Sequence, residues 1–333
     1  MNATLSEIQL RFIKNRDVIA KAFPMENSML YPACAALFLN GSADADVHRL
    51  KECKKILKQE TGMFSAFQGM GTLPILCLMS LSENPAERFR KANDLYQKLR
   101  QHFFSSAYLP LASVIVSELA PESQYEAIAL RTRGLYNRMK KEHPWLTSDE
   151  DSSFAALMAL SQKSDDDLIR DAEYCYEQLK NTFKSPNALQ SLTHALILCD
   201  TAPDPACKKT VALFGMLKDR GRRYGTEHQL PTLGVLANAE SPLEVLCEEI
   251  LQSDQFLKTQ KGYGFFGLDK TQRLMHAGLL VLAAQETTPS RISAGDTAAT
   301  QAAISAAIAA QQAAMCAVMA ATTAANAANA ASH

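Results

Sequence analysis

The sequence has no excess of charge of either sign. Its 34 lysines and arginines balance 35 aspartates and glutamates, which gives a formal net charge of −1. Binding of nucleic acid or of an anionic membrane surface usually needs a strongly basic face. The charge balance therefore argues against a nucleic-acid partner, and we expect a protein or small-molecule ligand instead.

The sequence also lacks the short motifs that identify common enzymes and metal sites. It has no P-loop, GxGxxG, GxSxG or HExxH pattern, and none of its eight cysteines forms a CxxC pair. We therefore predict no cofactor and no metal ion, and leave open whether the protein is an enzyme. The N-terminal residues contain no apolar signal-peptide core, so we expect a cytoplasmic protein with reduced cysteines.

Runs of valine and isoleucine are rare as well, which argues against strands and favours helices. An aromatic residue followed by a polar turn and a short apolar segment recurs along the chain. Its spacing is 38 to 41 residues throughout, and the seven aromatic anchors are Phe23, Phe64, Phe104, Trp145, Phe183, Tyr224 and Phe265. Such a regular spacing indicates tandem structural repeats.

Each repeat is predicted to be a pair of helices. The first helix is long, with apolar residues every three or four positions and charges on its other face. The second is shorter and apolar on nearly all sides, which requires burial between neighbours. Asn84-Pro85 and Ser241-Pro242 are predicted to start long helices, and Gly62, Gly221 and Gly262 to end them.

These patterns predict an all-α fold of seven tandem αα-hairpin repeats of about 41 residues. The array is expected to be curved, either toroid-like or an open solenoid. Residues 1–285 form the expected repeat domain, and residues 286–297 form a linker that contains Pro289.

The segment 298–333 is rich in alanine and has no formally charged side chain. Larger residues recur in it at helical spacing, which predicts a helix or a helical hairpin. We expect it to pack on the last repeat or to join subunits of a homo-oligomer. A membrane anchor is less expected, because alanine drives membrane insertion weakly.

Polar residues recur at the starts of the short helices, on one helix face. One interpretation is that they cap backbone amides that lack partners. The other is a polar mouth in which helix N-termini bind an anionic ligand. Capping is the commoner use of such residues, and the candidate ligand-binding residues are Glu26, Asn27, Tyr31, Gln68, Tyr108, Asn187, Asp269 and Arg273.

Acidic and imidazole groups in the same turns are candidates for acid–base chemistry. The candidate catalytic residues are Asp149, Asp151, Glu227 and His228. For the aspartates, a charged first turn that complements the helix dipole is the alternative. The arginines after Gly221 are candidate phosphate ligands. The glycine-aromatic segment 261–267 is either a ligand lid or one more anchor turn.

Three distinctive strings in the chain are FPMENSMLYPACAALFLN, EHPWLTSDEDSSFAALMAL and KGYGFFG. They resemble a bacterial family of domains of unknown function, number 4003, and the resemblance spans nearly the whole chain. It implies a bacterial cytoplasmic protein and brings no catalytic residue. A weaker similarity in architecture links the repeats to α/α toroids of the prenyltransferase and terpene-cyclase type, whose aspartate-rich and zinc-binding motifs this sequence lacks.

The leading functional prediction is a binding or interaction module that uses the concave face of its inner helices, since repeat arrays provide such surfaces. One alternative is an enzyme with a polar-mouthed cavity in a toroid-like fold. Another is a structural oligomer assembled through the alanine-rich segment.

Overall fold

The protein is all-α in its computed structural model, which describes residues 3–39, 43–62, 65–69, 71–104, 106–199, 201–263 and 267–286. The all-α prediction is confirmed, and these ranges contain no strand. Short 3₁₀ helices occupy Ala66–Gln68 and Glu122–Gln124. The α-helices are α1 (Ala3–Ala22), α2 (Leu30–Ala36), α3 (Val47–Glu60), α4 (Thr72–Ser80), α5 (Pro85–Arg100), α6 (Leu109–Leu119), α7 (Tyr125–Glu142), α8 (Asp151–Met158), α9 (Asp165–Leu179), α10 (Pro186–Leu198), α11 (Pro203–Asp219), α12 (Leu230–Ala237), α13 (Leu243–Lys258) and α14 (Lys270–Glu286).

The described residues form two compact units. Residues 15–169 make up one, here named the N-terminal unit, and residues 3–14 with 170–286 make up the other, the C-terminal unit. The predicted linker 286–297 and the alanine-rich segment 298–333 lie outside the described residues, except for Glu286 at the end of α14. Their structures stay predictions.

Long helices pack against short ones in both units. In the N-terminal unit α5 contacts α6 and α7 contacts α8, while α4, α6 and α8 contact one another in order. The C-terminal unit repeats this arrangement, with α11 against α12, α13 against α14, and the short helix α12 between α10 and α14. Each unit therefore consists of two helix layers, in which the second helix of each pair is the shorter one except for α14, which has 17 residues against 16 in α13.

The long helices are amphipathic, as predicted. In α5 the buried side chains of Phe89, Ala92, Leu95 and Leu99 recur every three or four residues along one face. Charged side chains occupy the exposed face, where Arg90 pairs with three carboxylates. One apolar stripe is what a helix needs when only one of its faces meets the core.

Some predicted helix boundaries are confirmed and others are wrong. Asn84 Oδ1 accepts a hydrogen bond from the Glu87 amide at 3.2 Å and starts α5. Gly221 and Gly262 have φ angles of 74° and 90°, the left-handed region that the prediction required.

Ser241-Pro242 and Gly62 do not act as predicted. Helix α13 begins at Leu243, and Pro242 stands at its cap position without a side-chain hydrogen bond. The Ser241 hydroxyl instead donates to the Gln285 side chain. Helix α3 ends at Glu60, and Gly62 has no positive φ, because the extended residue Thr61 already leaves the helix.

The short helices are buried along their length. Every residue of α2, α8 and α12 is buried, which fits their apolar composition. The ends of buried helices still need hydrogen-bond partners. Two arginines of long helices supply them: Arg49 Nη2 donates to the carbonyl of Ser82 at 2.7 Å, and Arg131 Nη1 to that of Ala159 at 3.0 Å.

The helices of the described part are not membrane spans. None of them combines the length and the apolar character needed to cross a bilayer.

The aromatic anchors differ in how far their side chains are exposed to solvent. Phe23, Phe183 and Tyr224 are buried, whereas the side chains of Phe104 and Trp145 are 94% and 96% exposed. Phe64 and Phe265 lie outside the described residues. For the five described anchors the regular spacing thus located residues outside or at the ends of helices, but it did not show which aromatic side chains belong to the core.

We predict that buried and exposed anchors contribute differently to stability. Phe183→Ala should lower the free energy of unfolding by about 3–5 kcal/mol, because its ring is buried against Phe214 with ring centroids 5.1 Å apart. Trp145→Ala should change it by less than about 0.5 kcal/mol. Urea denaturation followed by circular dichroism measures both values. Equal losses for the two variants would contradict the assignment.

Candidate functional site

The starts of neighbouring short helices meet at one edge of each unit. In the N-terminal unit the hydroxyl oxygens of Ser106 and Ser152, before α6 and in α8, are 3.5 Å apart. In the C-terminal unit Gln229 Nε2, before α12, donates to Thr271 Oγ1 of α14 at 3.1 Å. We name this edge, made of the turns before the short helices and their first turns, the turn edge. The predicted site residues belong to it.

Hydrogen bonds join neighbouring turns in the C-terminal unit. Ser185, before α10, donates its hydroxyl proton to Glu227 Oε2 at 2.7 Å. Asp269 Oδ1 accepts from the amides of Thr271 and Gln272 at 2.7 and 2.8 Å, and so caps α14. Capping of α14 therefore explains why a polar residue stands at position 269.

His228 lies near the carboxylates of Glu227 and Asp269. Its Nε2 is 3.1 Å from Gln229 Nε2. Burial is the main influence and lowers the pKa of His228, against the opposing charges of Asp269 and Glu227. Burial acts to raise the pKa of Asp269, but its capping hydrogen bonds and His228 outweigh that effect and lower it. The structure thus brings together a half-buried imidazole and two carboxylates from the predicted set.

Asp149 and Asp151 belong to the N-terminal unit, whereas Glu227 and His228 belong to the C-terminal unit. Asp151 is buried, and its Oδ2 accepts from the Ser148 amide at 2.8 Å, which closes the turn before α8. The Asp149 side chain is exposed, and partial desolvation raises its pKa. The four catalytic candidates are therefore described as two separate groups, one in each unit.

The candidate residues before α2 close their own turn. Asn27 Oδ1 accepts from the Met29 amide at 2.9 Å. The Tyr31 hydroxyl donates to the carbonyls of Phe23 and Glu26 at 2.7 and 2.9 Å, and burial raises the pKa of Tyr31. The Glu26 side chain itself is exposed. These contacts fix the backbone that leads into α2.

Gln68, Tyr108 and Asn187 occupy the corresponding positions in later turns. Gln68 Nε2 donates to Thr61 Oγ1 at 2.8 Å and so binds back to the end of α3. Tyr108 is buried at the start of α6, and Asn187 is exposed in the first turn of α10. The three residues thus differ in exposure and in contacts, although the repeat spacing made them equivalent.

Arg273 and Arg222 converge on one buried carboxylate. Arg273 Nε donates to Asp254 Oδ1 at 2.7 Å, and Arg222 Nε to Asp254 Oδ2 at 2.9 Å. The Asp254 side chain is only 1% exposed. The sequence carries a signal for it, since Asp254 stands in the apolar stripe of α13 between Ile250 and Leu257. Two arginines that were candidates for an anionic ligand therefore have a protein carboxylate as partner.

The turn edge of the N-terminal unit also presents large apolar side chains. Met25 and Trp145 are each 96% exposed and Phe104 is 94% exposed, in the turns before α2, α8 and α6. Sequence reasoning used two of them as anchors and missed their exposure. The prolines directly before Met25 and Trp145 were an available signal, because they place both residues in turns.

The turns contain acidic and histidine side chains, which are common ligands of metal ions. Among the described residues, no three histidine, cysteine, aspartate or glutamate side chains are grouped so that they could hold a metal ion. Glu227 and His228 therefore stand without the third ligand that a typical zinc site needs.

Comparison with known proteins gives a family but no activity. A family model described as "Protein of unknown function (DUF4003)" matches residues 17–313. The uncharacterized protein YeaA of Bacillus subtilis strain 168 is 23% identical over 243 residues, which cover 69% of this chain and 72% of that protein. No solved structure matches the chain. The resemblance to this family that was inferred from the sequence is confirmed.

We predict that Asp254→Ala destabilises the protein by about 3–5 kcal/mol, because it leaves the buried Arg273 without its counter-charge. Urea denaturation measures the loss. Glu177→Ala is the matched control, since it removes an exposed pair with Lys180 and should cost less than about 0.5 kcal/mol. A loss below about 1 kcal/mol for Asp254→Ala would show that the buried pair is not stabilising.

We also predict a pH dependence from His228. The pKa of His228 in the folded state is below the unfolded value of 6.5. At pH values between these two pKa values, the unfolded state therefore binds more protons than the folded state. This contribution to stability is present above the unfolded pKa and is lost as the pH falls through 6.5 toward the folded pKa. Asp269→Asn should lower the pKa of His228 further. An NMR titration measures the pKa in both proteins, and a value at or above 6.5 in the unaltered protein excludes the prediction.

Proposed function

The chain belongs to this family of proteins of unknown function, and on that premise we propose that it is a binding module that engages a protein partner through the turn edge of its N-terminal unit. The observation that carries the proposal is the exposure of Met25, Phe104 and Trp145 at 94–96%. Covering a large apolar side chain gains roughly 1.5–3 kcal/mol. Three such side chains give a partner a substantial apolar contact.

The same exposure favours a protein over a small molecule as partner. Small-molecule sites are concave and enclose most of the ligand. Side chains that are 94–96% exposed protrude into solvent and do not line an enclosed cavity. Tryptophan and other aromatic residues are also frequent among the residues that dominate protein–protein affinity.

The position of this surface differs from the one that the sequence suggested. The concave face of the inner helices was the expected surface, but every residue of α2, α8 and α12 is buried. The turn edge is where large apolar groups reach solvent. For the enzyme alternative, Glu227 and His228 remain the candidate catalytic residues. However, the Glu227 carboxylate accepts a hydrogen bond from Ser185, and the His228 ring contacts the Gln229 side chain. These contacts favour a structural role for both residues.

The proposal includes the predicted repeat architecture of seven helix pairs over residues 1–285, in a toroid-like array. The fourteen α-helices of the described residues make seven consecutive pairs, which supports the repeat count. Within the C-terminal unit, Gln9 of α1 donates to Ser253 of α13 at 3.1 Å, and the ring of Phe12 lies 6.4 Å from that of His276 in α14. Within this unit the first helix therefore contacts the last helix pair. Oligomerisation through residues 298–333 and a cytoplasmic location stay predictions.

We predict that replacing Met25, Phe104 and Trp145 together by serine abolishes binding of the partner and leaves the fold intact, because the three side chains make no core contacts. Partners captured by the tagged protein from a lysate of the source organism are identified by quantitative mass spectrometry. Binding of the purified partner to the unaltered protein and to the triple variant is then compared by isothermal titration calorimetry, because the variant lacks Trp145, the chain's single tryptophan, whose fluorescence serves only for the unaltered protein.

Binding should shift the emission of Trp145 to the blue and protect it from acrylamide quenching. Leu130→Ser is the matched control, because Leu130 is a half-exposed apolar residue on α7 of the same unit and should leave binding unchanged. A partner that binds the triple variant as well as the unaltered protein would refute the proposed surface.

A further inference from the structure

Met25 differs from the other methionines in its exposure to solvent. Seven methionines lie in the part of the chain that the structure describes, and Met25 alone among them is exposed, at 96%. Met79 and Met158 are completely buried, at 0%. Met29, four residues further along the same turn, is half-buried. Among the described residues, the Met25 side chain is therefore the thioether most accessible to reagents in solution.

Hydrogen bonds hold the backbone on both sides of Met25. The Tyr31 hydroxyl donates to the carbonyls of Phe23 and Glu26, at 2.7 and 2.9 Å. The Glu26 amide donates to the Phe23 carbonyl at 3.1 Å. The Phe23 ring is buried, and Pro24 has a fixed φ angle. The turn is thus tied to the core before Met25 and across it, so Met25 projects into solvent from a fixed position.

An exposed thioether is open to oxidation by peroxides. The sulfur lone pair attacks one oxygen of hydrogen peroxide, the O–O bond breaks, and proton transfer to the departing oxygen gives a sulfoxide and one water. Two electrons pass from the sulfur to the peroxide. The apolar thioether thereby becomes a polar, chiral group, and methionine sulfoxide reductases reverse the change.

We propose that Met25 is an oxidation site at which hydrogen peroxide forms the sulfoxide and so weakens binding of a protein partner at the turn edge of the N-terminal unit. The effect on binding rests on the proposed function, whereas the oxidation site does not. A sulfoxide oxygen covered by an apolar partner surface loses its hydrogen bonds to water, which is unfavourable. The affinity should therefore fall at least about tenfold.

The first test maps oxidation in the full-length protein after brief exposure to hydrogen peroxide. Cleavage after Glu26 places Met25 and Met29 in separate peptides, so mass spectrometry measures each gain of about 16 Da separately. Met25 should oxidise at least about tenfold faster than Met79 and Met158, because buried side chains react only when the fold opens. In concentrated urea the rates should become equal. Methionine sulfoxide reductases should remove the added mass.

The second test measures the apolar surface on a phenyl hydrophobic-interaction column, which needs no partner. Oxidation should make the unaltered protein elute earlier, because the sulfoxide is polar. Met25→Leu keeps an apolar side chain without a thioether, so peroxide should shift its elution less. Met29→Leu is the matched control and should shift as the unaltered protein does.

The third test measures the affinity for the partner identified with the triple serine variant, by isothermal titration calorimetry before and after oxidation. The affinity of the unaltered protein and of Met29→Leu should fall at least about tenfold. The affinity of Met25→Leu should not change on oxidation.

The outcomes separate the oxidation site from the proposed function. The oxidation site is overturned if Met25 in the folded protein oxidises no faster than Met79 and Met158. The effect on binding is overturned if the partner binds the oxidised protein as tightly as the unoxidised one. A partner that binds the triple serine variant normally refutes the proposed surface instead, and the peptide map then still decides the oxidation site.

Discussion

Burial of the short apolar helices is the constraint on which the rest of the structure depends. Every residue of α2, α8 and α12 is buried, so polar contacts are confined to the two ends of these helices. Each end leaves backbone groups without partners inside the helix. Asp269 supplies acceptors at the start of α14, and Arg49 and Arg131 supply donors beyond the ends of α4 and α8. The need to satisfy backbone groups at helix ends thus accounts for the polar contacts of Asp269, Arg49 and Arg131.

The two units use the turn edge differently. In the C-terminal unit the anchors Phe183 and Tyr224 are buried, and side chains of neighbouring turns bind one another, as Ser185 binds Glu227. Polar groups that already have partners offer little to a ligand, since a new contact must replace an existing one. In the N-terminal unit Phe104 and Trp145 are in water. A partner that covers them would displace only solvent, which is why we propose this edge as the binding surface.

The sequence was sufficient for features that depend on neighbouring residues. Helix type, the Asn84 cap and the glycine stops at 221 and 262 all follow from spacing and local chemistry. The sequence was insufficient where contacts between residues far apart in the chain decide which side chains are buried and which are paired. Phe103 and Phe104 are adjacent aromatics, and packing buries only Phe103. The partners of Asp254 are 19 and 32 residues away, so only the tertiary fold shows that two candidate ligand-binding arginines neutralise a buried carboxylate.

The pairing of α1 with α13 affects how the protein is made. Gln9 and Ser253 are 244 residues apart, so residues 3–14 leave the ribosome long before their partners. At about 5–20 residues per second the delay is roughly 12–50 s. During that time Leu5, Ile8 and Phe12, which are buried in the finished protein, have no core to cover them. The nascent chain therefore exposes these apolar side chains until α13 has been made, and a product truncated before α13 lacks the helix that α1 pairs with.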